Sequence, residues 1–344
     1  MASSAGFFLR FARLASPALV SALAYGAYKS NLPTVLEAFF TGPGRTSRII
    51  ALVVVLVNWK SLPLVWTFRI YNAMIKHFLM RPDHAYPPSK LFHPVRTSTH
   101  VSLLEVDYNV HKSNSTYFAD LDVSRTHLVG HLLSRGCRLL SQNASTRIVV
   151  DPSDPTGQRP APGKFGVVLG AVQCSFRREL APYQRYEMWS RILAWDRKWL
   201  YVVTHFVEKG AVPEAGGQTW DEKTLAGKVY ASAVSKYVFK LGRLTVHPAV
   251  IIDASGLLPE RPGGWVRDDG GAAREEMNGH AVVSDANGHG NGHVNGNMET
   301  PWDWKRTEDE RKKGLEYANH FAALDGLLGQ FQPRDGPLGT FALG

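Results

Sequence analysis

The strongest constraint on the fold lies between residues 186 and 207, which read YEMWSRILAW, then DRK, then WLYVVTHFV. Two long runs of aromatic and β-branched residues are joined by Asp196-Arg197-Lys198 alone. Such a pattern predicts an antiparallel hairpin, because a three-residue polar link leaves no room for a crossover. Residues 165–176 and 228–246 have the same composition and predict further strands, the latter a single strand or a bent pair. Shorter strands are expected at 99–106 and 146–150, with a Pro/Gly-rich loop over 151–164. Residues 114–136 differ in period. Phe118, Leu121, Leu128, Val129 and Leu132 fall on one helical stripe. Ser113 or Asn114 is the expected cap and Gly136 the expected stop. One long helix followed by antiparallel strands implies an α+β unit, a sheet wrapped around a central helix.

The first 84 residues read differently. Residues 49–57 are IIALVVVLV and 62–68 are LPLVWTF. Together they approach the ~20 apolar residues of a membrane span. Lys60 and Pro63 interrupt them. The expectation is a spanning helix with Lys60 displaced toward one interface and Trp59 and Trp66 in an aromatic belt. A re-entrant or interfacial segment is the alternative. Farther upstream, Phe7, Phe11 and Leu14 recur beside Arg10 and Arg13, an amphipathic pattern suited to a membrane surface or a targeting segment. The expected organisation is a membrane-anchoring segment over 1–84, a folded domain over 85–258, a disordered Gly/Asn/His-rich insertion over 259–300, and a helix with a tail over 301–344. Tyr317, Phe321 and Leu324 would form the packing face of that last helix.

A net charge of +9 suggests an anionic partner. The basic residues are dispersed rather than clustered with aromatics, which argues against nucleic acid. The chain has two cysteines, Cys137 and Cys174, too few for a disulfide framework. No metal site or cofactor is expected. His127 and His131 are four apart on the helix but lack the Glu of a zinc-protease motif, and no fixed geometry supports His280, His289 and His293. No Gly-x-Ser-x-Gly pentapeptide occurs, which argues against a serine-hydrolase route. Asn114-Ser-Thr and Asn143-Ala-Ser match the glycosylation pattern.

Residues 105–136 resemble the start of a hotdog-fold acyl thioesterase. That family carries an acid-x-Asp pair, a spacer, His, small or amide residues, and Tyr. Here these stand as Glu105-Val-Asp107, His111, Lys112-Ser113-Asn114 and Tyr117. Trp195-Asp196 and Cys174-Ser-Phe-Arg-Arg resemble the family's later strands, and Leu62-Pro63 resembles a pair ahead of the domain in the thioesterase superfamily member 6 group. The resemblance implies a hotdog fold and hydrolysis of acyl-CoA or acyl-carrier-protein thioesters. It implies Asp107 as general base or nucleophile, with Asn114 and Tyr117 in the catalytic group. Backbone amides near Ser115, Thr116 and Tyr117 would form the oxyanion cradle. His111 and Ser113 would contact substrate, and Arg177 and Arg178 would meet a carrier phosphate or lipid headgroups. It further implies a homodimer or higher hotdog assembly. An internal membrane such as the endoplasmic reticulum is the expected location, with single-pass or monotopic attachment. The family's Gly before His is Val110 here and its Asn-Asn is Ser113-Asn114. A non-catalytic acyl-binding or scaffold protein with the same shell is therefore the alternative, and a dehydratase on that fold is a third reading.

Overall fold

The computed structural model describes residues 31–81, 85–211, 226–266 and 302–330, with residues 21, 25, 26 and 29 before them. The amphipathic stretch around Phe7 and Phe11 and nearly all of the Gly/Asn/His-rich insertion lie outside the described residues. The helices are α1 (Leu32–Thr41), α2 (Arg45–Val57), α3 (Val65–Ile75), α4 (Tyr117–Ser141), α5 (Pro248–Ala254) and α6 (Trp304–Ala322). The strands are β1 (Val95–His100), β2 (Phe165–Phe176), β3 (Arg185–Trp195), β4 (Trp199–Glu208), β5 (Val229–Leu241) and β6 (Leu244–Val246).

The strands form one six-stranded sheet in the order β1-β3-β4-β5-β2, with β6 on β5. Every pairing is antiparallel. The β3–β4 hairpin falls where the sequence places it, with Trp195 opposite Leu200. Asp196 closes it. Its carboxylate accepts from the Lys198 and Trp199 amides at 2.7 and 2.6 Å and from the Tyr201 hydroxyl at 2.9 Å. Alternation along β4 then sorts the core. Leu200, Val202 and Phe206 face α4, while Tyr201 and Val203 pack with Ala318 and Phe321 of α6 on the other face. Each of these apolar side chains, fully buried, contributes about 1.5–3 kcal/mol. Phe321 is on the packing face of α6 as expected, but Tyr317 is 68% exposed and Leu324, beyond the helix end, is 40% exposed.

Several local expectations are corrected. α4 runs past Gly136 to Ser141 because that glycine is a contact point rather than a stop. A Cβ there would lie 2.4 Å from the Ile251 carbonyl oxygen of α5. Neither Ser113 nor Asn114 makes a side-chain cap bond, and a 3-10 turn, Asn114–Thr116, leads into the helix instead. The strand expected at 99–106 stops at His100. Ser102 and Glu105 form a reciprocal capping box around the turn Leu103–Glu105, a local bond that outcompetes strand pairing. Residues 146–150 give only the bridge Val150–Pro160. There Asn143 is buried and organises the chain, donating Nδ2 to the Val149 and Ala161 carbonyls.

The single spanning helix is also corrected. The apolar run 49–68 is broken between α2 and α3 by the turn Trp59–Ser61 and by Leu64 at φ 69°. Pro63 removes a backbone donor there, and the Asn58 side chain turns back to the Val54 carbonyl while accepting from the Leu104 amide. No single helix among the described residues is long and apolar enough to cross a membrane. Only α1 and α2 together reach that length and composition, and they are bent by 104°. Lys60 is not at an interface but buried inside the folded unit.

Candidate active site

The residues after Glu105 fold into a tight loop. An antiparallel bridge joins Val106 to Lys112. Inside it the Asp107 amide donates to the His111 carbonyl and the Val110 amide to the Asp107 carbonyl, both at 3.0 Å. Asp107 therefore opens a turn rather than ending a strand. Its half-buried carboxylate accepts the Asn109 amide through Oδ1 at 2.9 Å, an Asx turn that orients the group. His111 Nδ1 stands 3.7 Å from the same oxygen, and its Nε2 stands 3.6 Å from exposed Glu179. Val110 adopts φ 63°. The left-handed position that the resemblance assigns to glycine is thus retained, and a β-branched residue occupies it at a cost of ~1–2 kcal/mol.

This loop is clamped at its base by a buried ion cluster. Lys60 Nζ reaches Glu105 at 2.9 Å, Asp120 Oδ2 at 2.9 Å and the His100 carbonyl at 2.7 Å. Lys112 Nζ bridges the same two carboxylates at 3.3 and 3.1 Å. Arg69 of α3 closes the set on Asp120 Oδ1 at 3.0 Å, and the Tyr186 hydroxyl donates to Oδ2. Burial alone would raise the Asp120 pKa, but Lys60, Lys112, Arg69 and the Tyr186 bond hold it below the usual carboxylate range. The neighbouring Ser113 amide donates to the Glu105 carbonyl at 2.7 Å, and the Lys112 amide to the Leu180 carbonyl at 2.8 Å. Both flanks of the Asp107 loop are thereby held.

Asn114 and Ser115 are exposed at the turn that starts α4. The Ser113 and Ser115 hydroxyls are 3.1 Å apart, and Thr116 Oγ1 donates to the Ser113 carbonyl at 2.7 Å. The Thr116 and Tyr117 amides already donate to the Ser113 and Asn114 carbonyls. Of the amides proposed for an oxyanion cradle, Ser115 is the one not engaged in those two turn bonds. Tyr117 is a core residue, 2% exposed and edge-on to Phe176 and Phe206. Burial raises its phenol pKa, and Lys112 Nζ lies 5.3 Å from its ring. Arg178 folds over the Tyr230 ring and binds the Gly227 carbonyl at 2.5 Å. Arg177 is exposed beside it, with its amide on the Tyr230 carbonyl. The structure thus gathers Asp107, His111 and the 177–180 segment at one place, with the α4 start adjacent. Tyr117 points into the core. His127 and His131, considered as a metal pair, bond instead to His77 and Tyr86.

Sequence reasoning missed Lys60, Arg69, Lys112 and Asp120. One signal was available, since a lysine between two apolar runs demands a buried partner or a water interface.

A family model described as the thioesterase-like superfamily matches residues 101–239. The Penicillium oxalicum thioesterase poxG is 37% identical over 310 residues, covering 87% of this chain and 90% of the relative. The Purpureocillium lilacinum thioesterase lcsJ is 33% identical, covering 82% and 91%. The probable thioesterase atnL of Emericella nidulans is 33% identical, covering 79% and 84%. Among solved structures, the probable thioesterase YbaW of Escherichia coli superposes at a TM-score of 0.32, with 13% identity, over 47% of this chain and 96% of that one. The chain belongs to the thioesterase-like superfamily, with its hotdog fold, and is an enzyme of the thioester hydrolase class.

Proposed function

We propose that this chain hydrolyses acyl thioesters carried on coenzyme A or an acyl-carrier protein, with Asp107 as general base or nucleophile. The observation that supports it most is the Asp107 turn. One carboxylate is oriented by a backbone amide in a loop pinned on both sides, immediately ahead of the long helix of a thioesterase-family domain. A thioester carbonyl placed between them meets the N–H groups at the helix start, where the dipole favours a developing oxyanion. The carboxylate attacks that carbonyl or takes a proton from an attacking water.

The test uses the full chain, since α3 supplies Arg69 and the turn before it supplies Lys60. Free-thiol release from acyl-CoAs of several chain lengths should fall at least about a hundredfold in Asp107→Asn, the scale of a lost general base. Unchanged release would refute the role of Asp107. One observation favours the non-catalytic alternative, namely that two helix-start amides are already bonded. Saturable acyl-CoA binding without thiol release would establish that reading.

Assembly and membrane attachment belong to the same proposal. β2 pairs with β5 alone among the described residues, and Val168 and Leu169 on it are 48% and 39% exposed. An open strand of 12 residues supports a homodimer built edge to edge. Leu36, Phe40, Val53, Val54 and Leu56 on α1 and α2 are 46–61% exposed. An apolar elbow of this size supports monotopic insertion into an internal membrane. Flotation with phosphatidylcholine vesicles should be lost in Val53→Glu/Leu56→Glu, and retained flotation would remove the elbow as the anchor.

A further inference from the structure

The end of the apolar elbow is bonded directly to the base of the Asp107 loop. Asn58 donates Nδ2 to the Val54 carbonyl of α2 at 2.9 Å, and its Oδ1 accepts the Leu104 amide at 2.9 Å. Lys60 Nζ donates to the His100 carbonyl at 2.7 Å, and the Ser61 and Ser102 hydroxyls pair. Asn58, Lys60 and Ser61 thus hold residues 100–104, just ahead of Asp107. Asn58 and Lys60 are buried, so their bonds are shielded from competing water. The depth and tilt that the elbow takes are therefore passed on to the loop.

The surface of the loop matches the elbow in chemistry. Residues 103–110 read LLEVDYNV. Leu103, Leu104 (62%), Tyr108 (92%) and Val110 are exposed, while Glu105 is buried in the ion cluster and Asp107 is half-buried. A loop fronting water exposes its acids and hides its leucines, and this one does the reverse. Residues 49–59, IIALVVVLVNW, carry no charged side chain, and Val53, Val54, Leu56 and Trp59 among them are exposed. Lipid fits this surface better than a protein groove. α1 and α2 together have the length and composition of a membrane span, and Trp59 and Tyr108 are amphipathic rings of the kind that settle at headgroup level.

We propose that the Asp107 loop seats on the bilayer together with the elbow, and that its substrate is a long-chain acyl thioester drawn from the lipid. This rests on the hydrolase and elbow readings above. At ~3.6 Å per residue, the Asp107 Cα stands within ~11 Å of Leu104. A thioester carbonyl then reaches the carboxylate while most of its acyl chain stays among the lipid tails. A chain of about fourteen carbons holds to a bilayer only reversibly, so such partial withdrawal is open to it.

The test uses the full chain throughout. In a Cys174→Ser background, which leaves buried Cys137 as the other thiol, a nitrobenzoxadiazole dye is attached at Tyr108→Cys. The control carries it at Glu316→Cys, exposed on α6 across the sheet from α4. With phosphatidylcholine vesicles, emission from position 108 should shift to the blue and emission from position 316 stay level. No shift at 108 while the chain floats with the vesicles overturns the proposal, as does an equal shift at both positions. The substrate class is read from free-thiol release, as the ratio of palmitoyl-CoA held in the vesicles to hexanoyl-CoA in solution. That ratio should fall at least about tenfold in Leu104→Gln/Tyr108→Gln, the scale of losing the transfer of one large apolar side chain. Taking the ratio cancels any direct effect on Asp107, and far-UV circular dichroism confirms the fold. An unchanged ratio overturns the substrate class. Release from neither thioester by the parent, with the blue shift present, removes the hydrolase reading and the substrate class with it, while the seat on the bilayer stands.

Discussion

Replacing Lys60 by methionine tests whether the segment before residue 84 is an appendage or part of the domain. Lys60 is 6% exposed and makes contacts of 2.7–2.9 Å to His100, Glu105 and Asp120. Methionine preserves the packing of the stem but removes the ammonium, leaving two buried carboxylates to Lys112 and Arg69. Breaking a buried pair by removing one partner costs about 3–5 kcal/mol. Because two cations remain, the lower end applies, about 3 kcal/mol. Against a total of roughly 5–15 kcal/mol this is a large fraction. With a urea slope of ~3 kcal/mol/M the midpoint drops by about 1 M. The pH dependence gives a second signature. Asp120 has a depressed folded-state pKa, so its stabilising contribution is present above the ordinary carboxylate pKa and lost as pH falls through the folded value. Without Lys60 that folded value rises, and the loss on acidification begins at higher pH. Urea titrations of both proteins between pH 3 and pH 7 measure both effects. A midpoint change under ~0.2 M, with an unshifted acid limb, would show that the cluster carries no net stability and that Lys60 is dispensable.

Further outcomes follow from single positions. Val110→Gly should raise the melting temperature, because relief of about 1–2 kcal/mol of left-handed strain exceeds glycine's entropic cost of ~0.5–1 kcal/mol; a lower value would mean the turn is not left-handed in solution. Gly314→Ala should destabilise by at least ~2 kcal/mol in chemical denaturation, since its Cβ would meet the Leu193 carbonyl oxygen at 2.1 Å and α6 must lift from β3. The His77 pKa is pushed down to about 4, by burial first and then by His127, His131, Lys76 and Arg81. Stability from this neutral imidazole is complete above its unfolded value near 6.5 and declines as pH falls toward 4, so His77→Gln should flatten the stability profile across that window. An unchanged profile by thermal denaturation would place the acid sensitivity elsewhere.

Much of the sheet was legible in the chain, because strands carry their signal locally. The β3–β4 hairpin needs only two apolar runs and a three-residue link, and Asp196 closes the turn through bonds within five residues of itself. The Asp107 loop was legible in the same way, as a motif within a dozen residues. Gly136 misled because glycine's role there is set by α5, far away in sequence, and residues 99–106 misled because Ser102 and Glu105 bond each other before any strand can. The apolar run 49–68 misled most. Hydropathy averages over a window and does not register that Asn58, Pro63 and a buried lysine break the helix there.

By itself, then, the sequence determined the α+β class, the central helix, the hairpin and the acid to examine, since each depends on neighbours along the chain. Only the tertiary structure decided where Lys60 goes and which groups clamp the Asp107 loop. Those facts depend largely on pairs 40 to 68 residues apart. Lys60 and Asp120 meet across 60 positions, and no periodicity in a sequence records a contact at that separation.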